Sequence, residues 1–377
     1  MTCPLVSVVM AVYNGEQYLK DAVSSVMAQT FSNFEFIIID DGSTDNTPKL
    51  LEQFSRNDSR IKIIRQENSG LPAALNRGIC EARGKYIARM DADDISLPNR
   101  FELQVEFMEN NPEIGLCGTA CRLIGESSGI SWTTTDPDEL KCRLLFWPCI
   151  THSTVMMRKN ILIDNNLFYN PNYKQAEDYE LWSRISKVCE IANLPDILLL
   201  YRVTASQKST RFADEVTKWS ATVQHRLLED LGITPTDDEM SIHSSLHKSA
   251  FEKSRNYVEK VEQWFCKIIA ANKRTHIYNH SSLIRVLMER WRAVCITNAD
   301  LGIWIWRKYK NTAYEWMDSK SENLPGIPMS SCLRYLLSSR LESTKQGRAI
   351  KHAARRIKGL LQIASSQFAG ESWWKTR

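Results

Sequence analysis

Gly84-Lys85-Tyr86-Ile87-Ala88-Arg89-Met90-Asp91-Ala92-Asp93-Asp94 reads as a buried strand that runs straight into three carboxylates within four residues. Acids crowded at a strand end repel one another unless a cation joins them. A divalent metal carrying a phosphate-bearing ligand is the natural counter-charge. Hard cations take oxygen ligands, and Mg²⁺ usually needs only one or two carboxylates beside phosphate oxygens. The bland alternative is an acid-rich turn ahead of a helix that begins near Leu97-Pro98. Composition alone leaves both readings open.

Working outward, the preceding chain alternates strand and helix. Val6 to Tyr13 is a nearly continuous apolar, β-branched run ended by Asn14-Gly15, as expected of a strand covered on both faces. Leu19, Ala22, Val23, Val26 and Met27 recur at helical spacing. Phe34 to Ile39 forms a second strand closing on Asp40-Asp41-Gly42-Ser43, and Thr47-Pro48 opens a second helix with a capping residue and an early proline. Ile61 to Ile64, Leu71 to Ala82 and Lys85 to Met90 continue as strand, helix and strand. The alternation predicts an α/β fold with a mostly parallel, Rossmann-like sheet flanked by helices. Ligands of such sheets sit beyond the carboxyl ends of the strands, where Asn14-Gly15, Asp40-Asp41 and Asp91 to Asp94 all fall. No G-x-G-x-x-G or G-x-x-x-x-G-K-[ST] occurs, which argues against dinucleotide dehydrogenases and P-loop phosphotransferases.

The 377 residues suit two domains, divided here as 1–210 and 211–377, and the composition is that of a folded globular chain. The net charge is +4. Residues 334–377 alone carry ten Lys/Arg against two Asp/Glu, a net of +8, so residues 1–333 carry −4. The ten cysteines lack paired C-x-x-C spacing, which favours reduced thiols and a cytoplasmic location. The start, Met1-Thr2-Cys3-Pro4, shows no basic stretch before a long apolar run, so no cleaved secretion signal is expected, and no window is long and apolar enough for a membrane span.

Six segments carry a resemblance. Ser7 to Gly15, Asp40-Asp41-Gly42-Ser43-Thr44-Asp45, Glu67 to Leu71, Asn76-Arg77-Gly78, Asp91-Ala92-Asp93-Asp94 and Glu177-Asp178-Tyr179-Glu180-Leu181-Trp182 resemble the ordered motif series of family-2 glycosyltransferases, inverting enzymes of the GT-A fold. The resemblance covers about residues 5 to 205. It implies that Asp41 accepts a hydrogen bond from the nucleotide base, commonly uracil, with Ala11 to Tyr13 lining the same pocket. It implies Asp93 as the direct ligand of Mg²⁺ or Mn²⁺, Asp91 facing the ribose or the metal's water shell, and Asp178 as catalytic base. Asp94 is expected to cap the next helix instead of touching the ion. Where the family usually has Ala-Arg-Asn-x-Gly, this chain has Ala74-Leu75-Asn76-Arg77-Gly78, which leaves open whether Arg77 replaces the missing charge.

The chemistry agrees. Sugar transfer from a nucleoside diphosphate needs a metal for the leaving diphosphate and a carboxylate for the acceptor proton. The expected function is transfer of a sugar, most readily UDP-linked, to a glycan or lipid-linked glycan hydroxyl in bacterial surface-polysaccharide assembly. Single or limited addition is favoured, because no Gln-x-x-Arg-Trp follows Asp178. Alternatives are a sugar-1-phosphate nucleotidyltransferase and a non-catalytic nucleotide-sugar-binding scaffold. An acidic first helical turn, favourable with the helix dipole, is the structural alternative for Glu177-Asp178.

Leu116 to Ile124, Thr151 to Met157 and Ile197 to Val203 read as strands, with a helix from Asp136-Pro137-Asp138 through Phe146. His152 is either near the phosphates and acceptor or an ordinary scaffold residue. Trp147 and Trp182 either stack on an acceptor sugar or belong to the core. Beyond Arg211 the chain reads as helical. The pairs His243/His247 and His276/His280 lack a third ligand and are expected at the surface. Nothing matches a nucleic-acid-reading module, so no such partner is expected. In residues 334–377, Ile350, Ala354, Ile357 and Leu361 oppose Arg348, Lys351, Arg355 and Lys358, and Trp373-Trp374 follow. That pattern suits either an anionic membrane surface, on the inner face of the plasma membrane, or packing on the protein itself.

Overall fold

Val6–Val12 forms β1, and Phe34–Asp40 forms β2, buried along its whole length. The continuous Val/Ile/Phe runs have this reason: both faces of each strand are covered by helices. Between and after them come α1 (Leu19–Met27), α2 (Thr47–Asn57), β3 (Ile61–Arg65), α3 (Leu71–Glu81) and β4 (Tyr86–Met90). Leu19, Ala22, Val23 and Val26 are the buried stripe of α1, as their spacing predicts. The computed structural model describes residues 3–132, 134–204, 213–248 and 251–316.

The second half of the sheet is built from β5 (Ile95–Ser96), β6 (Ile114–Gly125), β7 (Gly129–Ser131), β8 (Met156–Arg158) and β9 (Glu190–Val203), with α4 (Arg100–Asn110), α5 (Pro137–Leu144), α6 (Lys159–Asp164) and α7 (Glu177–Ile185) between them. The strand order is β3-β2-β1-β4-β8-β6-β9-β5, with β7 pairing β6. β3, β2, β1 and β4 are parallel neighbours, while β8 runs antiparallel to both β4 and β6. The sheet is therefore mixed, and its parallel half brings the ends of β1, β2 and β4 to one edge. Helix α3 crosses β1 so closely that a Cβ on Gly78 would lie 2.4 Å from Val9 Cγ1.

At the opposite, amino-terminal edge of the same strands, Ser7 and the buried Glu35 form a lock. Ser7 Oγ donates to Glu35 Oε1 (2.7 Å) and accepts from Gly84 N (2.8 Å). Arg83 donates to Glu35 through its backbone N (2.7 Å) and Nε (2.9 Å). Burial pushes the Glu35 carboxyl up, but the bonds from Ser7 and Arg83 outweigh it and hold it below the usual range.

Several expectations change. Thr151 to Met157 is not a strand throughout: His152–Thr154 is a 3₁₀ turn, and only Met156–Arg158 pairs. Thr154 Oγ1 bonds the Thr151 carbonyl at 2.7 Å, the local side-chain-to-backbone competition typical of threonine. The last strand starts at Glu190, seven residues before Ile197, and accommodates Pro195 in a register shift against β6. The helix near Leu97-Pro98 starts at Arg100, after the short β5. Thr47 does not cap α2 but is its first residue, where its hydroxyl accepts from Gly15 N at 2.9 Å. Asp136 does cap α5, accepting from Asp138 N and Glu139 N.

The helices after the sheet are α8 (Ala213–Asp230), α9 (Asp237–Lys248), α10 (Arg255–Thr275), α11 (His280–Thr297) and α12 (Ile303–Trp316). One compact unit comprises Met1–His247 with Lys267–Val286; the other comprises Lys248–Cys266 with Leu287–Arg377. The sheet, α8 and nearly all of α9 thus lie in the first. Within that unit His243 is fully buried, against the surface position expected of it. Its Nε2 bonds the Leu145 carbonyl at 2.8 Å, its ring stacks on Phe146, and burial lowers its pKa to about 4. In the second unit Phe265, Trp291 and Trp316 pack ring to ring. Among the described residues no helix is long and apolar enough to cross a membrane, and the nine described cysteines are free thiols. The basic segment 334–377 lies outside the described residues.

Candidate functional site

The end of β1 and the end of β2 are joined by side chains. Asn14, held at φ 51°, accepts from Thr44 N at 2.8 Å through its Oδ1 and donates its own N–H to Ser43 Oγ at 3.0 Å. Glu16 reaches across to Asn46 in the same way. Beside this floor, Asp41 is buried with both carboxylate oxygens engaged. Oδ1 accepts from Gln66 Nε2 (2.7 Å) and Ser69 N (2.9 Å), and Oδ2 accepts from Gly70 N (2.9 Å). A carboxylate has about four lone-pair positions, so one acceptor position remains on Oδ2. Tyr13 is 51% exposed at the end of β1, with Ala11 half-buried behind it.

Arg77 is exposed on α3, and its Nη1 donates to Gln66 Oε1 at 3.3 Å, so the chain Arg77, Gln66, Asp41 is continuous. Leu75, where the family motif has arginine, is a core side chain. A charge there would be buried, whereas Arg77 stands on the exposed face of α3 and reaches Gln66.

Beyond β4, Asp91, Asp93 and Asp94 each present an oxygen within 4.8 Å of the others. Part of their counter-charge is built in. Arg89, 2% exposed in β4, forms an ion pair with Asp91, whose charge holds the guanidinium proton more tightly although burial opposes it. Arg202, at the end of β9, donates from Nε to the Asp93 carbonyl and from its backbone N to Asp94 Oδ1, both at 2.8 Å, while its guanidinium lies 4.3 Å from the Tyr18 ring centre. Asp94 therefore does not cap a helix. It is 1% exposed, it tethers β9, and its Oδ2 has no hydrogen-bond partner in the structure. The Asn99 position precedes α4 instead.

Two of the three acids remain poorly compensated. Burial, then the Asp91 charge, pushes the Asp93 carboxyl up to about 6. Burial, then Asp91 and Asp93, pushes Asp94 up to about 8. An all-oxygen donor set, excess negative charge and an orphaned buried oxygen together fit a hard divalent cation. Asp91, Asp93 and Asp94 are the residues able to hold one.

Asp178 lies half-buried in the first turn of α7, its Oδ1 taking the Tyr179 N–H at 2.7 Å. Burial raises its pKa above the ordinary aspartate value. Glu180, two residues on, is wholly buried between Arg184 and Arg226 at 2.7 and 3.0 Å. Trp182 is fully buried, so it belongs to the core and offers no sugar platform; Trp147 is half-buried with the Arg143 guanidinium over its ring. His152 is a scaffold residue: Nε2 bonds Tyr169 OH at 2.8 Å, and burial, then the Arg89 charge, keeps the ring neutral. Ser153 beside it accepts the Asp91 N–H at 3.0 Å.

The sequence reading missed Arg89, Arg202, Gln66 and Ser153. Arg89 had a visible signal, a charge inside an otherwise apolar strand. Arg202 had none, since it meets Asp93 and Asp94 only through the β5–β9 pairing.

Residues 7–168 match the family model described as glycosyl transferase family 2. The O-antigen biosynthesis glycosyltransferase WbnJ of Escherichia coli is 35% identical over 213 residues, which is 54% of this chain and 83% of WbnJ. Two solved structures share the fold. Residues 1–349 of TarS from S. aureus, in complex with UDP-GlcNAc, superpose with a TM-score of 0.52 at 17% identity over 82% of this chain and 90% of that one. The mannosyltransferase PcManGT from Pyrobaculum calidifontis, in complex with GDP-Man and Mn²⁺, gives 0.50 at 14% identity over 89% and 88%.

Proposed function

This chain belongs to glycosyltransferase family 2 and has the GT-A fold, and from that premise we propose an inverting, metal-dependent enzyme that moves a sugar from a nucleotide-sugar to an acceptor hydroxyl. The observation that carries the proposal is the meeting at one sheet edge of Asp41 and the Asp91-Asp93-Asp94 cluster, with Asp178 opening α7. Membership of this family leaves no place for a sugar-1-phosphate nucleotidyltransferase. The Tyr13 to Glu16 turn, tied down to residues 43–47, has none of the glycine-rich basic loop that chemistry requires.

In this reading Asp41 accepts the base N–H on its remaining Oδ2 position, Ala11 and Tyr13 flank the base, and Arg77 meets the nucleotide from α3. Asp93 and Asp91 hold Mg²⁺ or Mn²⁺, which supplies charge stabilisation for the departing diphosphate. Asp178 takes the proton of the acceptor hydroxyl as its oxygen bonds the anomeric carbon. The bond from that carbon to the diphosphate oxygen breaks on the opposite face, giving inversion. UDP is the favoured nucleotide, supported by TarS, although PcManGT binds GDP-Man. An acceptor that is a glycan or lipid-linked glycan of surface polysaccharide is supported by WbnJ's role in O-antigen biosynthesis. Residues 1–210 are proposed as the catalytic domain and 211–377 as a helical region. The chain is assigned to the cytoplasm, with 334–377 resting on the anionic inner face of the plasma membrane.

The test is Asp178→Asn with a panel of nucleotide-sugars and Mn²⁺. Turnover should fall about 10²- to 10⁴-fold, the usual contribution of a general base, while Mn²⁺-dependent nucleotide binding stays near wild type. Unchanged turnover would sink the base assignment.

A further inference from the structure

Tyr169 lies in the irregular segment between α6 and α7 and is 2% exposed. Three elements that carry the proposed chemistry converge on it. Asn76, beside Arg77 on α3, clamps its backbone from both sides: Asn76 Nδ2 donates to the Tyr169 carbonyl and Asn76 Oδ1 accepts the Tyr169 N–H, each at 2.8 Å. Its phenol bonds His152 Nε2 at 2.8 Å, and the next residue in the 3₁₀ turn, Ser153, accepts the Asp91 N–H at 3.0 Å. Trp182, one helical turn beyond Asp178 in α7, packs edge-on against both rings, with centroids 6.4 Å from Tyr169 and 5.8 Å from His152.

Buried amide, phenol and imidazole groups in such a chain are fully satisfied only in one arrangement, and a satisfied polar network fixes geometry more sharply than apolar packing does. The pair of bonds at Asn76 also spans 93 residues of sequence, so it ties parts of the chain that no local element connects.

We propose that Tyr169 is a positioning residue that sets the separation between the nucleotide side, the Asp91 loop and Asp178. The inference rests on the reading of Asp178 as base. Tyr169 itself touches no reacting atom. Its phenol bond keeps the Asp91 loop and α7 in register, and the Asn76 clamp keeps that register fixed to the helix carrying Arg77.

The experiment compares wild type, Tyr169→Phe, Asn76→Asp and Asp178→Asn in the full chain, using UDP-GlcNAc, UDP-glucose, UDP-galactose and GDP-mannose with Mn²⁺. Tyr169→Phe keeps the ring and loses only the bond to His152; Asn76→Asp keeps the acceptor and loses the donor. Each is expected to lower kcat about ten- to a hundredfold, the scale of small misplacements of reacting groups, with KM for the nucleotide-sugar within about threefold. Mn²⁺-dependent UDP binding, measured separately, should be unchanged in both. A kcat for Tyr169→Phe within about twofold of wild type overturns the positioning role, as does a KM that rises in step with the loss. If Asp178→Asn turns over normally, the base reading fails first. If wild type turns over none of the four donors, both readings fail.

Discussion

Asp178 illustrates how one residue's surroundings fix its chemistry. As the proposed general base it must be charged to work, and burial raises its pKa above the free aspartate value of about 3.9. The charged form is therefore harder to hold than in a free aspartate, and activity is lost as pH falls through that raised value. In a profile of kcat from about pH 4 to about pH 8, the acid limb should lie above the ordinary aspartate position. A limb at or below it contradicts the assignment. Asp93 offers a second test at this scale. Asp93→Asn removes one of three charges, and Mn²⁺ affinity should fall at least about tenfold by calorimetry while the fold persists, since loss of a ligand charge weakens a hard-cation site. Individual residues were unevenly legible in the sequence. The acids stood out because charge at a strand end demands an explanation. Asp94 was misassigned because its partner, the backbone of residue 202, is 108 positions away. His243 was read as exposed because spacing carries no information about the Leu145 carbonyl that satisfies it.

At the level of elements, the first four strands and three helices could be read within a residue or two, since each is a single run with the periodicity of its type. Legibility failed where side chains compete with the backbone or where pairing is irregular, as at Thr154 and Pro195. Close packing was also invisible. Gly78 belongs to a sequence motif, yet its physical role is the approach of α3 to β1. Gly78→Ala would drive a methyl against Val9 and should destabilise the protein by about 1–3 kcal/mol, the usual cost of overpacking. Chemical denaturation reads that loss; unchanged stability would mean that α3 moves outward freely. The same variant should weaken nucleotide binding, because α3 carries Arg77.

At the level of the molecule, alternation of strand and helix predicted a mostly parallel sheet; the sheet is mixed, with β3, β2, β1 and β4 as its parallel half. The antiparallel insertion of β8 between β4 and β6 was not readable, because a three-residue strand leaves almost no periodic signal. The change to helices after residue 211 was readable from composition, but the assignment of α8 and α9 to the same compact unit as the sheet was not. The basic segment 334–377 has its own test: liposomes containing anionic lipid, floated with the full chain and with a chain ending at residue 333. Co-flotation of the full chain alone, weakening with salt, is the expected result; equal behaviour of the two forms removes the membrane assignment.

The lock of Ser7, Glu35, Arg83 and Gly84 sits at the opposite ends of the strands that deliver Asp41 and Asp91. Anchorage and chemistry thus occupy separate ends of the same β1, β2 and β4. Substitutions that retune the loops for another donor or acceptor leave the anchorage untouched. The sheet can accordingly be inherited as a fixed chassis while its carboxyl edge diversifies, a division that makes specificity cheap to evolve and stability hard to lose by the same steps.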